Sequence, residues 1–295
     1  MTVQPIPAPK AVERYVHAYL RGEIEFSEPR NAATVIILHD GPPPVEVLLQ
    51  RRVSTMPSGA GHYVFPGGLV DANDFAGNIP WAGPSATEWA TWLECTPGEA
   101  QALISAAVRE TFEECGVLLA GPRSGGLVTS TVGTGWDEDR LALIDHSLSF
   151  ADFLSRRSLV LRSDLLRGVN RWITPEWADR RYDTRFFLMT LPPGQDARQI
   201  GRESDHTVWL GLEDVIAQAT NGSLALMYPT VATLRDLVGP KDVAEMLALP
   251  RTVGTTRFRI VQDESQIFVA TVGPAGETLA YIIGPEPSVA TAFPT

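Results

Sequence analysis

Cysteine is scarce in this sequence, which has only Cys95 and Cys115 among its 295 residues. Two cysteines cannot build the disulfide framework of a small secreted domain, and their spacing is not that of a zinc finger. Long apolar runs are missing as well, because no stretch reaches the roughly 18 consecutive apolar residues that a membrane-spanning helix needs. We therefore expect a reduced setting and no transmembrane segment.

Basic residues are also in short supply. The chain has 24 Lys and Arg against 35 Asp and Glu, which gives a formal net charge of -11. Binding to nucleic acid or to an anionic membrane surface depends on clustered basic side chains, so neither partner is expected. A small polyanionic substrate is compatible with this charge, since a bound metal ion and a few arginines can reverse the field of one pocket.

The first twenty residues contain prolines and charged side chains where a signal peptide would have an apolar core. This pattern predicts a cytoplasmic protein. Hydrophobic residues make up 44% and charged residues 20% of the chain, which is ordinary for a folded globular protein. A chain of this length can form one large domain or two modest ones.

The first half of the chain predicts a β-hairpin followed by helices. Residues 33–38 and 45–49 are apolar runs joined by a turn-rich bridge that is too short for a crossover, which predicts antiparallel pairing. Ser85 and Thr96 each precede a glutamate by three residues, the spacing of a helix capping box. The two boxes predict a short helix to residue 94 and a longer one after it.

The longer helix is predicted over Pro97 to Cys115, where apolar residues recur at helical spacing. Gly116 follows where a C-cap glycine belongs. The next residues, 117–119, predict a buried strand.

The second half of the chain alternates predicted strands and helices, and after residue 250 its turn signals predict a small β-meander. A further short helix is predicted near the start of the chain. The predicted helices are 12–20, 151–157, 213–219 and 229–238, and the predicted strands are 169–173, 185–191, 208–210, 256–261, 266–272 and 278–283.

Three glutamates share one face of the predicted long helix. Glu110, Glu113 and Glu114 stand at positions i, i+3 and i+4, which places their carboxylates within one turn. Such closely spaced negative charges repel, and a hard cation such as Mg²⁺ or Mn²⁺ relieves the repulsion by binding oxygen ligands. The alternative is a solvated acidic face, which the same string also fits.

A glycine pair, Gly67 and Gly68, lies upstream of this helix, directly after Phe65 and Pro66. Paired glycines permit unusual backbone dihedrals and a close approach to a ligand or to a helix end. Alone, such a pair is also typical of a plain turn. A strand, a glycine loop, an acidic helix and a glycine exit in this order form a far more specific pattern.

This combination resembles the Nudix box, in which a glycine and a glutamate precede an Arg-Glu-x-x-Glu-Glu helix that ends in glycine and an apolar residue. Asp74 stands where the first glutamate would be, and Thr111 takes a usually apolar position. Instead of a short spacer, 34 residues (75–108) separate the two halves. The matching residues are Gly68, Arg109, Glu110, Glu113, Glu114, Gly116 and Val117.

The resemblance implies the Nudix α/β/α sandwich with a mixed sheet. The long spacer implies a helical insertion within the box at about residues 75–96, which lengthens the box helix backwards. The β-rich tail lies outside the resemblance. We therefore predict a Nudix hydrolase domain over residues 1–250 and a C-terminal β-meander extension over residues 251–295.

The chain is most similar to the coenzyme A diphosphatase-like branch, whose members also carry a long insertion within the box. Residues 48–52, 172–175, 181–187 and 228–230 resemble further stretches shared by that branch. The resemblance implies metal-dependent hydrolysis of a diphosphate linkage in coenzyme A or acyl-coenzyme A. ADP-ribose or NADH is the enzymatic alternative. A non-catalytic Nudix-fold binding or regulatory module is the alternative of another class, and the retained glutamates count against it.

The resemblance also implies roles for the box residues. Glu110, Glu113 and Glu114 would bind Mg²⁺ or Mn²⁺ and form the catalytic set, with a backbone carbonyl near Gly68 as a further ligand. Arg109 is also predicted to belong to the catalytic set, where it is expected to stabilise the loop by pairing with Asp74 or Asp71.

Substrate contacts are predicted beside the box. Arg51 and Arg52 end a predicted strand, where a guanidinium could bind phosphate; strand alternation would turn one of the two toward solvent. Gly67 is also predicted to contact the substrate. Glu203 is the candidate general base, with a solvated loop acid as its alternative. The expected partner is a small nucleotide substrate, and the tail would either cover a sheet edge or form a homodimer contact.

Overall fold

The computed structural model describes residues 6–8, 10–41, 45–56, 59–200, 203–248, 253–263, 266–274 and 276–284. Two compact units are present. Unit 1 is drawn from Met1–Arg30, Arg171–Asp183 and Gly254–Thr295, and unit 2 from Asn31–Asn170 and Thr184–Val253. Among the helices so described, none has the length and apolarity needed to cross a membrane.

The described residues form a mixed α/β structure. Its helices are α1 (Lys10–Leu20), α2 (Ala86–Leu93), α3 (Pro97–Cys115), α4 (Thr134–Ile144), α5 (Phe150–Arg156), α6 (Leu212–Thr220), α7 (Tyr228–Asp236) and α8 (Val243–Ala248). Its strands are β1 (Ile6–Pro7), β2 (Arg30–His39), β3 (Glu46–Arg52), β4 (Tyr63–Val64), β5 (Gly67–Leu69), β6 (Trp81–Ala82), β7 (Ala120–Pro122), β8 (Leu159–Arg162), β9 (Arg167–Ile173), β10 (Tyr182–Thr190), β11 (Ser204–Gly211), β12 (Gly254–Asp263), β13 (Gln266–Gly273) and β14 (Gly276–Ile283).

Unit 1 contains the predicted β-meander. Strands β12, β13 and β14 pair antiparallel in sequence order, and β1 adds to β14 in parallel. Helix α1 contributes Val16 to a small apolar core with Trp177, Val269 and Ile283. The meander is confirmed, whereas the predicted domain boundary between residues 250 and 251 lies outside the described residues and stays a prediction.

Unit 2 is built around the predicted hairpin. Strands β2 and β3 pair antiparallel with Leu38 opposite Val47, which confirms the pairing, although bridge residues 42–44 are outside the described part. Strand β3 also pairs antiparallel with β11 and β4, and β2 pairs antiparallel with β5. Apolar side chains of β2 and β3, among them Val35, Ile37 and Leu48, are fully buried against α3 residues such as Leu103 and Ala107 in one core.

Both predicted capping boxes are present at the helix starts. The Ser85 hydroxyl accepts from the Glu88 amide at the start of α2, and Thr96 caps α3 in the same way. Helix α3 ends at Gly116, whose φ of +74° lies in the left-handed region that favours glycine. The predicted long helix is therefore confirmed at both ends.

One predicted strand is wrong, and a second sheet was not predicted. Residues 117–119 are buried but do not form a strand, because the Gln195 side chain bonds both the amide and the carbonyl of Leu118. The strand begins at Ala120 instead, in a small sheet of order β6-β8-β7. Helix α4 was also missed, since its exposed residues are mostly polar without a clear apolar stripe.

Candidate active site

The glycine loop lies directly against the backbone of β2. Gly67 and Gly68 open β5 and pair with Thr34 and Ala33 of β2. Gly67 has φ +153°, and a Cβ atom there would lie 2.3 Å from the Ala33 carbonyl oxygen. This approach is possible only without a side chain, so the sequence Gly67-Gly68 is a structural requirement of the loop.

Replacing Gly67 with alanine should therefore destabilise the fold by about 1–3 kcal/mol, because the new methyl group strikes backbone atoms that cannot turn aside. Urea-induced unfolding measures this change. Gly77→Ala is the matched control, since a Cβ atom at Gly77 meets nothing within 4 Å. Equal midpoints for the two variants would show that the loop is looser than described.

The glycine loop also contacts the acidic face of α3. A Cβ atom on Gly68 would lie 2.5 Å from Cδ of Glu110, so the bare backbone of Gly68 lies against that carboxylate. The Gly67 amide donates to Oε2 of Glu114 at 3.0 Å. Gln50 of β3 donates from Nε2 to the Glu114 carbonyl oxygen at 3.2 Å. The end of α3 is thus held between the glycine loop and β3.

Arg109 joins the loop after β5 to the acidic helix face. Its Nη2 donates to the Leu69 carbonyl oxygen at 3.0 Å and to Asp74 Oδ2 at 2.8 Å, and its Nε donates to Asp74 Oδ1 at 3.1 Å. Its Nη1 donates to Glu110 at 2.7 Å and to Glu113 at 3.3 Å. One buried guanidinium therefore holds three carboxylates.

Asp74 is fully committed to this arrangement. Besides Arg109, its carboxylate accepts a hydrogen bond from the Ser105 hydroxyl at 2.9 Å and one from the Asp71 amide at 2.9 Å. Its exposed fraction is 1%. The pairing of Arg109 with Asp74 is confirmed, and the long insertion between the two residues leaves it intact.

The pKa values of the three glutamates on the acidic face of α3 are all raised. Burial raises the pKa of Glu110 to about 7 against the lowering effect of Arg109, with Glu113 raising it further. Burial likewise raises the pKa of Glu113, and that of Glu114 well above its usual range. For Arg109, burial opposes the charge, but Asp74 and Glu110 outweigh it and raise its pKa. Burial is therefore the main cause of the raised pKa values, and Arg109 offsets it only in part for Glu110 and Glu113.

A comparison with models of known protein families gives no match. Over 209 residues the chain is 31% identical to the acyl-coenzyme A diphosphatase NUDT19 of Gallus gallus. The match covers 54% of this chain and 53% of that protein. The chain thus spans about half the length of this curated relative. The structure is similar to the crystal structure of a Nudix hydrolase from Alicyclobacillus acidocaldarius. That similarity has a TM-score of 0.65 at 28% identity and covers 77% of this chain and 99% of that chain.

The chain has the Nudix hydrolase fold. The predicted fold class and the resemblance to the Nudix hydrolases are confirmed. The predicted hydrolase activity agrees with these similarities and stays a proposal. In this Nudix fold the two halves of the box meet in space, with the Gly67–Leu69 strand against the end of α3. The spacer of residues 75–108 contains the short strand β6, α2 and the first turns of α3.

The carboxylates of Glu110, Glu113 and Glu114 fit a divalent cation by their chemistry. Glu113 is buried, Glu110 and Glu114 are half-buried, and all three lie on one helix face. In this structure, however, the three side chains are oriented toward other partners. Among the residues that the structure describes, no three His, Cys, Asp or Glu side chains are arranged around one point as metal ligands. Arg109 instead binds Glu110 and Glu113, and Glu114 binds the Gly67 amide.

The structure separates the two arginines predicted to bind substrate. Arg51 donates from Nε to Asp205 at 2.7 Å, and both side chains are nearly half exposed. Arg52 is two residues from Gln50 and so shares the face of β3 that meets Glu114. Burial raises the pKa of Glu114, and the nearby charge of Arg52 opposes that rise. Arg52 thus lies on the face of β3 that meets Glu114, and Arg51 lies on the opposite face.

Glu203 is also brought to the acidic cluster. Its carbonyl oxygen accepts from the Val53 amide at 3.0 Å, directly beyond the end of β3. After burial and Glu110, its negative charge contributes to raising the pKa of Glu114. The residue is exposed. The structure thus places the candidate base within electrostatic reach of Glu114, and its role stays a prediction.

Arg140 was not found from the sequence. It lies on α4 with an exposed fraction of 1%, and its Nε donates to the Glu113 carbonyl oxygen at 2.9 Å. Burial lowers its pKa to about 10. A single arginine within a weakly patterned helix carries no local signal of burial, so only the folded chain reveals that it binds the end of the Nudix helix.

Proposed function

We propose that this chain hydrolyses the diphosphate linkage of a nucleoside diphosphate derivative, with coenzyme A or acyl-coenzyme A as substrate. The observation that carries the reaction class is the acidic face of α3, on which Glu110 and Glu114 lie directly against Gly68 and Gly67. The substrate class is supported by the similarity to the acyl-coenzyme A diphosphatase of Gallus gallus.

Glu110, Glu113 and Glu114 would hold Mg²⁺ or Mn²⁺, together with the Gly68 carbonyl. When bound, such an ion lowers the pKa of a water ligand and offsets the charge of a diphosphate. Arg109 keeps the loop and the helix in register through Asp74 and the Leu69 carbonyl. It therefore positions the carboxylates and does not contact substrate in this proposal.

The remaining chemistry falls to residues around the acidic face. Arg52 binds a phosphate oxygen through its guanidinium, which suits bidentate contact with phosphate. The backbone of Gly67 would contact the substrate beside the acidic face, because the glycine pair lets the loop lie directly against β2 and Glu110. Glu203 accepts a proton at its carboxylate from the attacking water. Arg51, occupied by Asp205 on the other face, is left out of the substrate contacts.

Product analysis tests the substrate directly. The purified full chain should convert coenzyme A into 3′,5′-ADP and phosphopantetheine in Mn²⁺ or Mg²⁺, and should release neither product in excess EDTA. Separation of the products by anion-exchange chromatography gives the answer. No cleavage of coenzyme A or of an acyl-coenzyme A in either metal would refute this substrate.

The alternatives are further arms of the same experiment. Preferred cleavage of ADP-ribose or NADH would keep the reaction class and change the substrate. Binding of these nucleotides without cleavage would favour the regulatory-module alternative, although Glu110, Glu113 and Glu114 are all retained. The cytoplasmic setting and a homodimer formed through the tail stay predictions.

A further inference from the structure

Met227 is a large apolar side chain that the fold leaves 40% exposed. It directly precedes α7, and its backbone position is fixed from the N-terminal side. The Tyr63 amide donates to the Ala225 carbonyl oxygen at 2.8 Å, and Leu226 forms a parallel bridge with Tyr63 of β4. An exposed thioether is therefore held at a defined place beside the strand that follows the loop after β3.

Gly59 lies beside both Met227 and Arg52. A Cβ atom on Gly59 would lie 3.1 Å from Sδ of Met227 and 3.4 Å from Cδ of Arg52. The thioether and the aliphatic stem of Arg52 thus flank the same backbone. Arg52 shares its strand face with Gln50, which bonds the backbone of Glu114. Met227 therefore lies next to the arginine that we assign to the phosphate.

We infer that Met227 determines specificity by contacting the group that the diphosphate joins to the nucleoside, and that it selects a flexible aliphatic chain over a sugar ring. This inference rests on the proposed function. A group attached to a phosphate bound by Arg52 must continue past the neighbouring side chains. A thioether adapts its shape to aliphatic chains and buries apolar surface with them, whereas a hydroxyl-rich sugar gains little from it.

The test is a ratio of activities in one protein. Met227→Gln keeps the length of the side chain and replaces its apolar end. The ratio of kcat/KM for coenzyme A to that for ADP-ribose, in Mn²⁺, should fall by about tenfold, as expected for loss of a small apolar contact. Met227→Leu should retain the ratio, because its side chain stays apolar. Leu141→Gln, a change at a 50% exposed residue of α4, is the matched control and should leave the ratio unchanged.

The outcomes separate this inference from the proposed function. If the wild type cleaves coenzyme A and Met227→Gln keeps the wild-type ratio, the inference is overturned and the proposed function stands. An equal fall in Met227→Leu and Met227→Gln would also overturn it, since apolarity would not be the cause. If the wild type cleaves no diphosphate at all, the proposed function fails and the inference fails with it. Thermal unfolding of each variant confirms that the measured chains are folded.

Discussion

Replacing Glu114 with glutamine should lower kcat for diphosphate hydrolysis by about 10³-fold or more while the chain stays folded. The carboxylate is proposed as a metal ligand, and a neutral amide oxygen is a much poorer one for a hard cation. The fold should tolerate the change because the amide oxygen can still accept from Gly67. The variant also removes a titratable carboxyl group, whose pKa in Glu114 is raised by burial and by Glu110.

The measurement is steady-state hydrolysis in saturating Mn²⁺, accompanied by urea unfolding of the same preparation. Glu138→Gln is the control, because Glu138 is an exposed glutamate of α4. Activity of Glu114→Gln within a few-fold of Glu138→Gln would contradict the catalytic assignment of the acidic face. A loss of activity together with a loss of stability would instead indicate that Glu114 supports the fold.

Replacing Arg109 with methionine should cost about 3–5 kcal/mol in the free energy of unfolding, the largest stability effect that we expect. The substitution keeps apolar volume but leaves Asp74 and Glu113 buried without their cation. The penalty arises from the uncompensated carboxylates more than from the lost hydrogen bonds. Urea unfolding in EDTA measures it, and added Mn²⁺ should recover part of the loss if the ion binds the same carboxylates.

Arg51→Met is the matched control for this experiment. Arg51 also pairs with an aspartate, but its partner Asp205 and its own side chain are nearly half exposed. Exposed ion pairs contribute little to stability, so this variant should unfold close to the wild type. Similar costs for Arg51→Met and Arg109→Met would show that burial of the Arg109 network is not what stabilises the loop.

The sequence predicts much of this site because its signals are local. Capping boxes at Ser85 and Thr96 and the glycine at Gly116 define α2 and α3 from neighbouring residues alone. The spacing of the glutamates defines one helix face, and the glycine pair marks a close backbone approach. The resemblance to the Nudix box then joins the two halves across the insertion, which spacing by itself could not do.

The remaining features depend on contacts distant in the sequence. Residues 117–119 look like a strand, but a glutamine 77 positions away bonds the backbone amide and carbonyl of Leu118. Strand alternation predicts that Arg51 and Arg52 face opposite sides, yet only the position of Glu114 shows which one lies at the site. Arg140 binds the Glu113 carbonyl oxygen, and Met227 lies beside Gly59. No pattern within the segments around Arg140 and Met227 indicates these partners.

Direct binding of Mn²⁺ tests whether the carboxylates of α3 hold a divalent cation. The electron paramagnetic resonance signal of free Mn²⁺ can be followed while the ion is titrated into the wild type and into Glu114→Gln at one pH. We expect saturable loss of the free signal with the wild type and binding at least about tenfold weaker in the variant. Identical binding curves for the two proteins, or no binding by the wild type, would contradict this expectation.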